Sequence, residues 1–184
     1  MIQIRSLTKL DRDRYHELAS GYESPAKYHI RKIETEGEII ISMSLEHLEK
    51  PYLKRWIPDQ EEDSRYAEII GKGYSAGAYD EDRLIGIAIA EKQDWNRTFL
   101  IWEFHIDSEY RRRGIGRQFM EHMAKIGQGA NCRVMVCETQ NTNVPAIRFY
   151  QNVGFEVGGI DLSYYTNSDM VDFEVAVFMK RFIE

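Results

Sequence analysis

The chain has 184 residues, 43% of them hydrophobic, and a formal charge of −6 from 24 Lys and Arg against 30 Asp and Glu. That length suits one well-cored domain and is short for two, and the apolar content argues against disorder. The acidic balance argues against nucleic acid as a partner, because neutralising phosphates needs a basic face; an acidic surface beside a pocket favours a cationic small molecule.

The opening "MIQIRSLTKLDRDRYHEL" is charged throughout and lacks the apolar region of a signal peptide. No run reaches membrane-spanning length, so a cytoplasmic protein without membrane contact is expected. "MIQIRSL" alternates and predicts a strand. "TKLDRDRYHELASGY" predicts a helix with Thr8 as N-cap, stopping before Gly21. "AKYHIRKIETEGEIIISMSLEHL" predicts two β runs around Glu36-Gly37-Glu38. "KPYLKRWIPDQEEDSRYAEII" carries Pro51, Pro58 and the acidic cluster Asp59, Glu61, Glu62, Asp63, and reads as a loop followed by a short helix.

The signal sharpens after that. Two apolar runs flank Asp80-Glu81-Asp82-Arg83 in a hairpin pattern. "TFLIWEFHID" predicts a third strand. "GIGRQFMEHMAKIG" follows, with Ile115, Phe119, Met123 and Ile126 at helical spacing. "RVMVCET" predicts the next strand. If "NCRVMVCET" were all strand, Cys132 and Cys137 would face opposite ways, roughly 16 Å apart and beyond the roughly 7 Å reach of a disulfide. Free thiols are expected, and the spacing fits no zinc site. "NVPAIRFYQNVGF" predicts a helix with Asn143 as N-cap, Pro145 in the first turn and Gly154 as an αL stop. "EVGGIDLSYY" and "FEVAVFMKRF" are the final strands. A strand–helix–strand step implies a parallel pair and the hairpins imply antiparallel ones, so the fold is a mixed sheet with helices on its faces.

In "DSEYRRRGIGRQFMEHM", Arg111, Arg112, Arg113 and Arg117 surround Gly114-Ile115-Gly116, between a strand end and a helix start. Helix starts expose N–H groups and positive partial charge, and glycines let an anion approach closely. A phosphate ligand fits this; so does a merely solvated charge cluster. No Gly-Lys-Ser/Thr follows, and Phe119 stands where a dinucleotide fingerprint has its third glycine.

The run "RRRGIG", with Arg111 leading and Gly114 and Gly116 as its glycines, resembles the Arg/Gln-x-x-Gly-x-Gly/Ala signature of the GNAT superfamily of acyl-CoA-dependent N-acetyltransferases. Downstream, Asn143, Ala146, Phe149, Tyr150, Gly154 and Phe155 resemble that family's Asn-x-x-Ala-x-x-Phe-Tyr-x-x-x-Gly-Phe helix. The resemblance covers roughly residues 70 to 184. It implies one α/β (α+β mixed) domain with a mostly antiparallel central sheet and helices on both faces. Residues 1–67 would form the acceptor side and 68–184 the acetyl-CoA-binding core. It also implies that amides of about Arg112 to Arg117 hold the coenzyme diphosphate. The strand Phe104-His105-Ile106 would pair with the pantetheine arm. A narrower resemblance, to streptothricin acetyltransferases, rests on "DWNR", "CETQNTNVPAIRFYQNVGF" and "KPYLKRW" ahead of an acidic run.

Acetyl transfer to an amine requires removing a proton from an ammonium of pKa about 10 and giving one to the departing thiolate. No Ser/His/Asp or Cys/His pattern suggests a covalent intermediate, so direct transfer is the simpler route. The resemblance implies Tyr150 as the acid; the residue alone reads equally as helix packing. Glu103 stands in an otherwise apolar strand, where an idle buried carboxylate is costly. It is a candidate base, or a partner in a structural ion pair. His105 shares its face and is the fallback base, or a packing residue. Glu138 is either an acceptor contact or a turn cap, and Asn143 either a coenzyme contact or a plain N-cap. Trp56, Trp95 and Trp102 are either walls for a cation or core and edge packing. Asp59 and Glu62, with Glu61 and Asp63, either steer a cationic substrate or are simply solvated. Three functions follow: N-acetylation of a cationic small-molecule amine, acetylation of a protein or peptide amine, and a non-catalytic coenzyme A-binding module. The final strands, read as exposed, are compatible with a homodimer.

Overall fold

A computed structural model describes residues 1–57, 59–172 and 174–184, without the side chain of Asp172. Among these, nine strands and five helices run in the order β1 (Ile2–Ser6), α1 (Arg12–Leu18), β2 (Gly21–Glu34), β3 (Ile39–Arg55), α2 (Gln60–Gly71), β4 (Ala76–Asp80), β5 (Arg83–Gln93), β6 (Thr98–Ile106), α3 (Ile115–Gly129), β7 (Val134–Gln140), α4 (Val144–Asn152), β8 (Glu156–Asp161), α5 (Asp169–Asp172) and β9 (Ala176–Phe182). A 3₁₀ turn spans Ser108–Tyr110. The chain divides into two compact units. The first holds Met1–Ser20, Trp56–Cys137 and Lys180–Glu184; the second holds Gly21–Arg55 and Glu138–Met179.

The seven-stranded sheet has the order β1-β4-β5-β6-β7-β9-β8. β1 with β4, β4 with β5, and β5 with β6 are antiparallel. β6 and β7 are parallel, with Thr98 opposite Val134 and Ile101 opposite Cys137, as the α3 crossover requires. β7 and β9 run antiparallel: Asn141 N–H donates to Val175 O, and Ile183 N–H to Arg133 O. The expected mixed, mostly antiparallel sheet is the one found.

In the first unit, both faces of β5 and β6 are covered. On one, Ile87 and Ile89 pack with Tyr15 and Leu18 of α1 and Tyr66, Ile69 and Ile70 of α2. On the other, α3 buries Phe119, Met120 and Met123 completely, with Phe119 against Phe104 at 5.3 Å between ring centroids. α3 approaches so closely that a Cβ on Gly127 would stand 3.1 Å from Phe99. The helical spacing read from Ile115, Phe119 and Met123 is the buried face; at its far end Gly127, rather than Ile126, is the deeper residue.

In the second unit, β2 and β3 form a long two-stranded ribbon. Here the expected loop at Pro51 is corrected. The chain from Pro51 to Arg55 is strand, with Tyr52 opposite Ser24 and Arg55 opposite Gly21. Pro25 and Pro51 both fall in the stretch where register shifts, the one place a ladder tolerates a missing N–H. Pro58 lies outside the described residues.

Other expectations shift too. The N-cap of α1 is Asp11 rather than Thr8; its carboxylate accepts from Arg14 N–H at 3.1 Å. Starting the helix later lets both Leu7 and Leu10 reach the core. The acidic run is the first turn of α2, not a loop. Cys132 precedes β7, so strand alternation does not relate it to Cys137; both are buried free thiols. The short helix α5 falls between the two final predicted strands, where the sequence suggests no element. Asp169 starts it by accepting from the Tyr165 and Thr166 amides.

Candidate active site

The pairing of β5 with β6 steps from Ile89↔Glu103 to Ala90↔Ile101, leaving Trp102 as the extra residue of a β-bulge. Plain alternation would put Glu103 on the same face as Phe99, toward α3. The bulge turns it over, so Glu103 and His105 face α1 and α2 while Phe104 faces α3. The carboxylate is then gripped from both sides. Tyr66 O–H donates to Glu103 Oε1 at 2.6 Å, and His105 Nε2 bonds Glu103 Oε2. Around them, Tyr15 meets Tyr66 edge-on at 5.7 Å and His105 at 6.3 Å, and Trp56 meets His105 at 6.4 Å. Burial first, and then the Glu103 charge, push the Tyr66 and Tyr15 phenols well above the usual tyrosine range. Both tyrosines therefore stay neutral donors.

A second feature lies where β6 ends. β6 pairs with β7 from Thr98↔Val134 to Ile101↔Cys137 and ends at Ile106. α3 then opens without a side-chain cap. Its N-cap is Gly114, at φ +80° and ψ −6°, and no acid stands in the first turn. By contrast α1, α2 and α4 each close their starts with Asp11, Asp59 or Asn143. The first helical bond in α3 is Gln118 N–H to Gly114 O at 3.2 Å, so the preceding amides point outward from the helix start. A Cβ built on Gly114 meets nothing within 4 Å. Arg111, Arg112, Arg113 and Arg117 are exposed around it. Three features thus coincide: an uncapped helix dipole, open space and cationic surroundings, each of which favours an anion.

Asp107 fixes this corner to the sheet. Its carboxylate accepts from Arg14, from Arg83 at 3.0 Å and from the Glu109 amide at 3.0 Å. Burial opposes its ionisation, but the Arg14 hydrogen bond, the Glu109 amide and the charges of Arg14 and Arg83 outweigh it and hold the carboxyl below the usual range. A group with a depressed folded pKa stabilises the fold above its unfolded pKa, and that contribution is lost as pH falls through the folded value. Asp107→Asn should therefore lower the melting temperature at pH 7, with the deficit against the native protein closing as pH falls from about 5 toward 2. A deficit independent of pH would show that shape, not charge, holds the corner.

The remaining expected site residues divide. Arg111 turns back, its Nε donating to Ile106 O at 2.9 Å, so its side chain fastens the strand end. Asn143 spends its side-chain oxygen as N-cap, accepting from Ala146 N–H at 3.2 Å. Asp59 likewise caps α2 through Glu61 N–H at 2.9 Å. Glu62 accepts from Tyr66 at 3.1 Å and Arg65 at 3.3 Å, and Asp63 is buried against His16 at 2.9 Å. Trp102 donates to Glu91 at 2.9 Å beneath Arg65, whereas Trp95 is exposed in the β5–β6 turn and walls nothing. In the second unit, Glu138 accepts from Tyr165. Tyr150 is buried on α4 with Phe149 and Phe155 each 5.5 Å away. Sequence reading missed Tyr15 and Tyr66, whose only signal was an aromatic on the buried face of α1 and of α2. Among the described residues, no group of His, Cys, Asp or Glu is arranged to hold a metal, and no helix is long and apolar enough to cross a membrane.

A helix start of this kind suits a phosphate-bearing ligand. The chain is 29% identical over 133 residues to streptothricin acetyltransferase A of Bacillus subtilis strain 168, spanning 72% of this chain and 75% of the relative. It is 30% identical over 128 residues to the streptothricin acetyltransferase of Escherichia coli, spanning 70% and 69%. Among solved structures, a Bacillus anthracis str. Ames protein assigned as a streptothricin acetyltransferase, in complex with acetyl coenzyme A, superposes with a TM-score of 0.76 at 25% identity, covering 100% of this chain and 98% of that one. Residues 41–155, more than half of the chain, match the model of the acetyltransferase (GNAT) family, so this chain belongs to the GNAT family and is an acetyl-CoA-dependent N-acetyltransferase.

Proposed function

We propose that this enzyme acetylates a primary amine of a cationic small molecule, with streptothricin-type antibiotics as the leading acceptors. One observation carries the chemistry: a carboxylate, Glu103, turned by a bulge toward α1 and α2 and held there by Tyr66 and His105. An ammonium with a pKa of about 10 has no lone pair at neutral pH until it loses a proton. Glu103 takes that proton, and the aromatic rings of Tyr15, Trp56 and Tyr66 suit a cation. Acetyl-CoA supplies the acetyl group as a thioester. The α3 amides at Gly114, Ile115 and Gly116, with Arg112, Arg113 and Arg117, would hold its diphosphate; the backbone of β6 at Phe104–Ile106 would hold its arm. Tyr150 is the proposed donor to the departing sulfur, a role supported by its place in the matched helix motif.

The acceptor class is supported by the two relatives named for streptothricin and by the chain's net charge of −6, which favours cations. Acetylating an amine removes its positive charge, so resistance to a cationic antibiotic is the role this reading assigns, in the cytoplasm. The test is free-thiol release from acetyl-CoA by the purified protein. Streptothricin should turn over at least about tenfold faster than peptides with free N-termini. Release with peptides alone would move the protein to the peptide-acetylating reading, and no release with antibiotics, polyamines or peptides would leave it a coenzyme A-binding module.

A further inference from the structure

Tyr66 holds one hydroxyl proton but stands between two carboxylates, Glu103 Oε1 at 2.6 Å and Glu62 Oε1 at 3.1 Å. A hydroxyl donates one hydrogen bond at a time and can accept others. With both carboxylates ionised, the second contact therefore has no proton to fill it. The three groups also grade in exposure. Tyr66 is 2% exposed, the Glu103 side chain 20% and the Glu62 side chain 40%. The other Glu103 oxygen is taken by His105. Among the described residues, the hydrogen bonds of Tyr66 link Glu103 to a more exposed carboxylate, Glu62.

We propose that Tyr66 is the relay that clears the proton from Glu103 to Glu62 during each turnover. This rests on Glu103 being the base. Before reaction, Tyr66 donates to the Glu103 carboxylate. When Glu103 takes a proton from the substrate ammonium, the N–H bond breaks and a Glu103 O–H bond forms. That O–H now donates to Tyr66 Oη, and the Tyr66 hydroxyl swings to Glu62. The two protons shift together: Glu103 O–H breaks as Tyr66 O–H re-forms, and the old Tyr66 proton ends on Glu62 Oε1. Tyr66 is a neutral phenol at both ends of the step, as its strongly raised pKa demands. No electrons are transferred. Glu62, which also accepts from Arg65 at 3.3 Å through the same oxygen, passes the proton to water. Sequence reading offers Glu62 as one of the acids that steer a cationic substrate; here it is the outlet of the base.

The decisive experiment uses the full chain with acetyl-CoA and its best amine acceptor. Tyr66→Phe keeps the ring and its packing on Tyr15; Glu62→Gln keeps the volume of a half-buried side chain, and the melting temperature of each variant checks folding. Each should lower kcat by about 10-fold with both KM values within about twofold, an effect at the low edge of general acid–base contributions. The double variant should be no slower than the slower single one, because both break the same path. In mixtures of H₂O and D₂O the native enzyme should give a curved dependence of kcat on deuterium fraction, as two protons move together, and Tyr66→Phe a straight one. If Glu62→Gln raises the amine KM and leaves kcat alone, Glu62 is an anchor and the relay is wrong. If Tyr66→Phe keeps kcat within about twofold, the relay is also wrong. If Glu103→Gln itself retains activity, the reading of Glu103 fails first, which separates the two failures.

Discussion

Replacing Glu103 with glutamine lowers kcat at pH 7 by about 10²- to 10³-fold, while the KM for acetyl-CoA stays within about twofold; this range is what removing a positioned general base typically costs. The substitution preserves volume, and the amide oxygen can still accept from Tyr66, now 2.6 Å from Oε1. The site therefore keeps its shape and loses only its capacity to take a proton. The same variant makes a second, sharper prediction. An alkylamine of pKa about 10 gains free base tenfold for each unit of pH. The native enzyme, supplied with its own base, should level off as pH rises, whereas Glu103→Gln should keep climbing, so the gap narrows toward pH 9. Steady-state rates from pH 6 to 9, with the melting temperature as a check on folding, decide it. A variant within about threefold of native at pH 7, or a gap that stays constant with pH, removes Glu103 from the chemistry.

The sequence made much of this legible and hid one decisive element. Period-2 alternation located β1, turn signals between β runs located the β2–β3 ribbon and the β4–β5 hairpin, and the spacing of Ile115, Phe119 and Met123 located α3 and its buried face. The glycines were readable because their reasons are local: Gly114 and Gly154 both sit at positive φ, as a helix start and a helix stop. The bulge at Trp102 was not readable. Alternation counted from Glu103 to His105 gives their shared face correctly, but counted from Phe99 it gives the wrong side of the sheet, and no residue type in "FLIWEFH" announces the extra position. Helix starts were misjudged wherever a side-chain cap competed with burial, as at Thr8 and Asp11. The acidic run misled for a related reason. Asp59, Glu61, Glu62 and Asp63 look like a solvated loop in isolation, yet they are an N-cap and first turn, where negative charge stabilises a helix. Tyr66 was overlooked because a tyrosine on an amphipathic helix is ordinarily core; it is core here too, and its hydroxyl is what reaches Glu103.

Gly114→Val should weaken acetyl-CoA binding by about 100-fold, the largest effect on the coenzyme side. A left-handed backbone costs an L-residue about 1–2 kcal/mol, and a β-branched one more, so φ +80° is poorly held by valine. The open space around Gly114 removes the alternative explanation. A Cβ there meets nothing within 4 Å, so the substitution does not jam the protein against itself. What it fills is the approach to the amides that open α3. Strain rotates those amides and the side chain blocks them, and together these exceed the strain alone. The free protein should lose only a few degrees of melting temperature, because α3 keeps Phe119, Met120 and Met123 buried. The stabilisation that coenzyme A gives the native protein by mass action should vanish at concentrations that saturate native binding. Gly129→Ala is the control: it lies at the far end of the same helix, also with nothing within 4 Å of its Cβ, and carries no positive φ. It should bind coenzyme A as the native protein does. If both variants bind alike, the anion is held by arginine side chains and not by the helix start, and the uncapped opening of α3 has another purpose.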